Sequence, residues 1–200
     1  MRQNDLILVI DLQNVYQPGQ PWGCPSFPRS LENVKTLLDT VGALATPPQV
    51  FLTQFVEDPQ AGGMWAEYNR LNHDINAEPW MSELVAPLAH YAGQYPVCQK
   101  STYSSMPIPE LQQAAQGLLA QGEEDDQAPG RVVLTGVVAE CCVLATAIEA
   151  IDMGCHVVYL RDACSGVSEE TEQAVLKVLE GLSPPHVTIM TTAEYLGEKV

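Results

Sequence analysis

A three-layer α/β fold is predicted, with a doubly wound, mostly parallel six-stranded sheet and helices on both faces. Three observations carry this expectation. Short β-rich apolar runs alternate with longer stretches at helical spacing, the pattern of right-handed β-α-β crossovers. The first run, Leu6–Asp11 (LILVID), is continuously apolar rather than alternating, as in a strand buried on both faces. The chain has 200 residues, a length that suits one domain.

The elements follow in order. Arg29–Ala45 places Leu31, Val34, Leu37, Leu38 and Val41 on one helical face, and Pro47-Pro48 ends it. Gln49–Phe55 reads as the second strand. Glu57–Pro79 is polar, aromatic and irregular, with Gly62-Gly63, Trp65 and Tyr68 inside it and Trp80 just after it. Such a length is unusual for a plain connection, so positions 57–80 are expected to form a lid or pocket wall. Met81–Tyr91 reads as a short helix, Tyr95–Gln99 as the third strand and Pro109–Gln121 as a helix. Gly122–Gly130 (GEEDDQAPG) reads as an acidic surface loop. Arg131–Val137 is the fourth strand, followed by a helix over Cys142–Met153 that Gly154 stops. Cys155–Leu160 is the fifth strand. Ser168 is placed to cap a helix over Glu169–Leu182, whose first turn is acidic as the helix dipole favours. Pro184-Pro185 breaks that helix, and His186–Met190 is the sixth strand.

Composition narrows the function. Twenty-five acidic against nine basic residues give a net charge of −16, which repels phosphate backbones and anionic lipid. Nucleic acid and membrane are therefore poor partners, and a small molecule is the expected one. No apolar run is long enough to span a bilayer, and the N-terminus lacks the features of a signal peptide, so the expected location is cytoplasmic. The six cysteines (Cys24, Cys98, Cys141, Cys142, Cys155 and Cys164) form no CxxC pair. Neither a disulfide framework nor a zinc site is expected of them, and most read as small buried hydrophobes.

In parallel sheets ligands sit beyond the carboxyl ends of the strands. Asp11 ends the first strand, Lys100 follows the third, and Glu140, Cys141 and Cys142 follow the fourth. A thiol is a nucleophile as thiolate, and a helix N-terminus and an ammonium both favour that form. A carboxylate can take the thiol proton and return it to a leaving amine. Backbone N–H groups at the same turn can hold an oxyanion.

Three segments carry a resemblance. TGVVAECCVLATAIEA (Thr135–Ala150) resembles the nucleophile motif of isochorismatase-like cysteine hydrolases. LVIDLQNVY (Leu8–Tyr16) is similar to that family's first motif, and CQKSTYSS (Cys98–Ser105) to its lysine motif. Order and spacing agree over essentially the whole chain. The resemblance implies Cys142 as nucleophile, Asp11 as proton shuttle and Lys100 as the cation that lowers the thiol pKa; Cys141 occupies a variable motif position. It also implies a non-proline cis peptide at Val137–Val138, with the N–H groups of Val138 and Cys142 as the oxyanion hole. A homo-oligomer, dimer or tetramer, is implied as well.

Nicotinamidases of this superfamily bind a metal through an Asp-x-His element after the second strand. Here TQFVE (Thr53–Glu57) puts Phe55 and Glu57 at those positions. His90, His156 and His186 read as helix-end or strand residues, and His73 reads as a loop histidine, so no metal and no cofactor are expected. Tyr16, Trp22, Phe55, Trp65 and Tyr103 are candidates for an aromatic pocket wall. Gln13 and Asn14 either brace the loop after the first strand or, for Gln13, orient Asp11 or meet substrate. Asp162 reads as a structural carboxylate after the fifth strand; Glu140 faces substrate or solvent.

The leading function is hydrolysis of a C–N bond in a small amide, ureido or carbamoyl compound through a thioester. One alternative is vinyl-ether hydrolysis of an isochorismate-type substrate with Asp11 as acid. A catalytically inactive small-molecule binder on the same fold is another. A redox pair of Cys141 and Cys142 is disfavoured by the strain of a vicinal disulfide.

Overall fold

The computed structural model describes residues 1–124 and 130–198. Six strands, β1 (Leu6–Ile10), β2 (Gln49–Phe55), β3 (Val97–Lys100), β4 (Arg131–Val137), β5 (His156–Ser165) and β6 (Val187–Met190), form one sheet in the order β3-β2-β1-β4-β5-β6. Every pairing is parallel. The three-layer doubly wound expectation therefore holds, and the sheet is parallel throughout.

The alternation of β1 explains the two faces. Ile7 and Val9 pack with α1 (Phe27–Gly42) through Val34, Leu37, Leu38 and Val41, while Leu6, Leu8 and Ile10 point the other way. That second face is covered by Leu111, Ala115 and Leu118 of one helix, by Ala147 and Ala150 of another, and by Val175 and Leu179 of a third. All five residues of β1 have no exposed surface, which is why the run shows no polar alternation.

After β2, the segment expected to be irregular is instead helical in pieces: α2 (Gly63–Leu71), α3 (His73–Asn76) and α4 (Pro79–Ser82). None of these helices has a fully buried residue, so no apolar stripe marks them in the sequence. The expected helix over Met81–Tyr91 is broken. A 3-10 turn at Ala86–Leu88 leads into α5 (Ala89–Ala92), with Pro87 in its first positions.

Next come α6 (Pro109–Glu124), α7 (Leu144–Asp152), α8 (Glu169–Glu180) and α9 (Thr192–Gly197). Residues 122–124 of the expected acidic loop belong to α6, and residues 125–129 lie outside the described residues. Ser168 caps α8, its side chain accepting from the Thr171 N–H, as the sequence predicts. β5 runs on to Ser165, so Asp162 lies within the strand rather than after it. Its Oδ1 accepts from both the N–H and the hydroxyl of Thr192 at the start of α9, at 2.8 and 2.9 Å. No described helix is long and apolar enough to cross a membrane.

The chain winds outward from β1 to β2 and β3, then returns to lay β4 on the other side of β1. The carboxyl ends of β1 and β4 therefore flank the topological switch point, where such sheets open a crevice. Gly136, near the end of β4, has φ 105°, and a Cβ there would overlap the carbonyl oxygen of Ile10. Glycine lets the two strand ends approach at the place where both carry chemistry.

Candidate active site

Each candidate side chain leaves the end of a different strand. Asp11 follows β1 with φ 51°, a left-handed conformation that aspartate tolerates better than most residues. Its own carbonyl accepts the Gln13 N–H at 2.7 Å, so the chain turns sharply there. The carboxylate has no exposed surface. Thr53 of β2 donates its hydroxyl to Oδ1 at 2.7 Å, which fixes the plane of the group.

Lys100 ends β3, two strands from β1, a span of about 10 Å. Only a long side chain can cross it. Lys100 runs beneath Phe55, its Nζ 5.1 Å from the ring centroid, and stops 2.6 Å from Asp11 Oδ2. It also donates to the Thr102 carbonyl at 3.1 Å. Burial pulls the ammonium pKa down, but Asp11 and Cys142 outweigh it and the net shift is upward, so Lys100 stays charged. Asp11 Oδ2 is thus engaged by the ammonium, and a carboxylate oxygen has more than one acceptor site.

Cys142 was expected to open a helix. Instead it lies within a π-helical turn, Ala139–Val143, ahead of α7. The Val137–Val138 peptide bond is cis. The Val138 carbonyl accepts the N–H groups of Cys141 and Val143, at 3.0 and 3.2 Å. Wide turns of this kind recur at functional sites because they re-aim one side chain. The turn is pinned from α7 by Thr146, whose hydroxyl donates to the Cys142 carbonyl at 2.6 Å and accepts the Ser105 N–H at 3.0 Å. One threonine thus ties the nucleophile segment to the lysine segment.

The sulfur of Cys142 is within hydrogen-bonding reach of both Asp11 and Lys100. Its pKa moves opposite to the expectation of a standing thiolate. Burial pushes the thiol up first, the Asp11 charge pushes it further, and Lys100 lowers it only in part. The sulfur is therefore a thiol at neutral pH.

Cys142 is 3% exposed, and it forms part of the wall of a cavity of about 350 Å³. Tyr16, Trp22, Phe55, Tyr68 and Tyr103 supply the aromatic part of the lining, and Val138, Cys141 and Val167 complete the region around the sulfur. The rings form one contact network, with Trp22 5.6 Å from Tyr16 and 6.2 Å from Tyr68 between centroids. Trp65 was expected in the wall. It stands behind it, 4.9 Å from Tyr103 and 5.4 Å from Tyr68.

Tyr68 was not among the candidates. Trp65 and Tyr68 are three residues apart, the spacing that puts two rings on one helical face, and that signal would have found it.

Gln13 faces away from this role. Its amide donates to the carbonyls of Phe55 and Ser82 at 2.8 and 2.7 Å and accepts the Phe55 N–H at 2.9 Å. With these polar atoms committed, it braces the ends of β1 and β2 against α4. Asn14 does the same through the Trp80 carbonyl, 2.9 Å away. Glu140 accepts the Val167 N–H at 3.1 Å and so shapes the cavity rim rather than lining it. His73 is exposed on α3. Among the described residues no group of three or more His, Cys, Asp and Glu side chains could hold a metal ion.

Comparison with known proteins bears on the fold and the family. No match to the chain was found among curated proteins. Among solved structures, an isochorismatase-like hydrolase from Alkaliphilus metalliredigens is 22% identical, with a TM-score of 0.70 and 96% of each chain covered. A cysteine hydrolase from Pseudomonas syringae pv. phaseolicola 1448A is 17% identical, with a TM-score of 0.76, covering 98% of this chain and 92% of that one. Pyrazinamidase of Pyrococcus horikoshii, in complex with zinc, is 19% identical, with a TM-score of 0.64 and coverage of 94% and 99%. These identities establish a shared fold. The isochorismatase domain family matches residues 5–194, and the chain belongs to that family.

Proposed function

We propose that the protein is a cysteine-dependent hydrolase that cleaves a C–N bond of a small amide-type substrate. One observation carries the reading: the Cys142 sulfur, which lines an aromatic cavity, has the buried Asp11–Lys100 ion pair within reach behind it.

The chemistry follows from that arrangement. Because the sulfur rests as a thiol, Asp11 takes its proton as the sulfur attacks the carbonyl carbon. The oxyanion is held by the N–H groups of Val138 and Cys142. Collapse breaks the C–N bond, and the departing nitrogen takes the proton from Asp11. Water then attacks the thioester, gives a proton to Asp11, and the carboxylic product leaves as the sulfur is reprotonated. Lys100 pairs with Asp11 and offsets charge building on the sulfur. The hydrolases and the pyrazinamidase among the structural neighbours support this class of reaction.

Substrate contacts fall to Tyr16, Trp22, Phe55, Tyr68 and Tyr103, with α2 supplying Tyr68 to the wall. Vinyl-ether hydrolysis of an isochorismate-type acid is less well supported, because the lining offers no cation for a carboxylate.

The test is release of ammonia or amine from a panel of small amides by the wild-type protein, Cys142→Ala and Asp11→Asn. Both variants should lose turnover while keeping the fold. Retained activity in Cys142→Ala with loss in Asp11→Asn would replace the thioester route with acid catalysis.

A further inference from the structure

The cavity joins two properties that together define what enters it. Its rings are neutral at physiological pH: burial, ahead of any neighbouring charge, holds the phenols of Tyr16, Tyr68 and Tyr103 above their ordinary value. Burial likewise holds the Cys141 thiol up. No lysine, arginine or histidine lines the cavity among the described residues. The nearest cation, Lys100, is covered by Phe55 and already neutralised by Asp11 at 2.6 Å. The surrounding fixed charge is acidic, with Glu140 behind Cys141 and a net −16 over the chain.

We infer that the substrate is an amide whose acyl body is uncharged, apolar and no larger than about two rings, and that amides bearing a carboxylate are excluded. This rests on the hydrolase reading above and narrows it. A carboxylate in this cavity would be desolvated with no cation to pair and with Asp11 and Glu140 nearby. An apolar body instead meets ring faces and valines, and a volume of about 350 Å³ has room for about two rings, since a cavity of about 150 Å³ takes one benzene. The polar groups of the lining side chains are uncharged: phenol hydroxyls, the Trp22 indole N–H and two thiols.

Two alkylating agents of nearly equal size read the charge preference without requiring turnover. In each, the Cys142 sulfur bonds to the methylene carbon, iodide leaves, and the thiol proton passes to Asp11 or solvent. Neutral iodoacetamide should label Cys142 faster than anionic iodoacetate, by a ratio on the order of 100-fold above that of a small free thiol. Tyr103 lines the mouth and is 40% exposed, so Tyr103→Arg is tolerable and sets a guanidinium in the cavity. It should cut the excess ratio by about 10-fold or more. Val167→Arg, at a lining position 53% exposed, gives the same reading should Tyr103→Arg not fold.

The matched substrates are benzamide and 4-carbamoylbenzoate, and the first should be turned over preferentially by a similar factor. A labelling ratio equal to the free thiol's, or faster turnover of the anionic amide, overturns the substrate class and leaves the cysteine hydrolase standing. Failure of both reagents to reach Cys142, with no amide of either charge cleaved, removes the hydrolase reading itself and the inference with it.

Discussion

Asp11 and Lys100, from the ends of β1 and β3, form a buried ion pair at 2.6 Å beside the Cys142 sulfur. The pair sets the state of the site. It sets a carboxylate and an ammonium, both buried, beside the sulfur. The thiol then loses its proton only as it reacts.

Breaking that pair should be costly. Lys100→Met strands a carboxylate with no exposed surface, and unfolding in urea should show a loss of about 3–5 kcal/mol. The double variant Lys100→Met/Asp11→Asn should recover most of that loss, because no buried charge is left over. Equal destabilisation of the single and double variants would mean the pair is not electrostatically coupled.

The thiol should titrate in a telling direction. Burial and then Asp11 raise it, so iodoacetamide labelling of Cys142 should climb only above the ordinary thiol range. Asp11→Asn removes the second cause and should move the midpoint down, even as amide turnover is lost. A midpoint that rises in Asp11→Asn would contradict the assigned electrostatics.

Thr53 acts through Asp11 and is a positioning residue. Thr53→Val removes the 2.7 Å hydrogen bond while keeping the shape. The kcat should fall on the order of 10-fold with KM nearly unchanged, and Thr53→Ser should restore it. An equal loss in both variants would point to packing rather than orientation.

Acid stability should report on the opposite edge of the sheet. The Glu198 carboxyl is held at about 2, chiefly by its hydrogen bond to Arg131, with burial opposing and the N-terminal ammonium helping. A depressed folded value means that the contribution is complete above the usual carboxylate range and fades as pH falls toward 2. Its size is on the order of 2 kcal/mol, trimmed by partial exposure. Glu198→Gln should therefore lower stability at pH 7 and flatten its fall between about pH 4.5 and 2. A curve parallel to wild type would refute the linkage.

Much of the site was legible because its residues sit at or just after strand ends. The bounds of β2 and β4 are those the sequence predicts: β4 is buried on both faces, while β2, partly exposed at Gln49, Phe51 and Gln54, is set off by Pro47-Pro48 before it. Asp11 follows β1 directly, Lys100 ends the mostly polar β3, and Cys142 lies in the turn after β4. The segment after β2 was not legible. Its helices turn aromatic rings toward the cavity instead of burying an apolar stripe, and Gly62-Gly63 looks like a break although Gly63, at φ 60°, begins α2. Gln13 looked available to substrate because its partners, Phe55 and Ser82, are 42 and 69 residues away in sequence. The π-turn at Cys142 depends on which carbonyl the local N–H groups choose, and that choice is tertiary. Arg161 and Asp162 interrupt the apolar run of β5, so the strand seemed to end early.

The central claim is that the Cys142 sulfur carries the acyl group between the two halves of the reaction. Rapid quenching during turnover of a neutral amide, followed by peptide mapping by mass spectrometry, measures it directly. The account predicts the acyl mass on the peptide bearing Cys142, formed before the carboxylic product appears. Turnover with that peptide unmodified at every time point, or with the acyl group on Cys141 or any other residue, would contradict it.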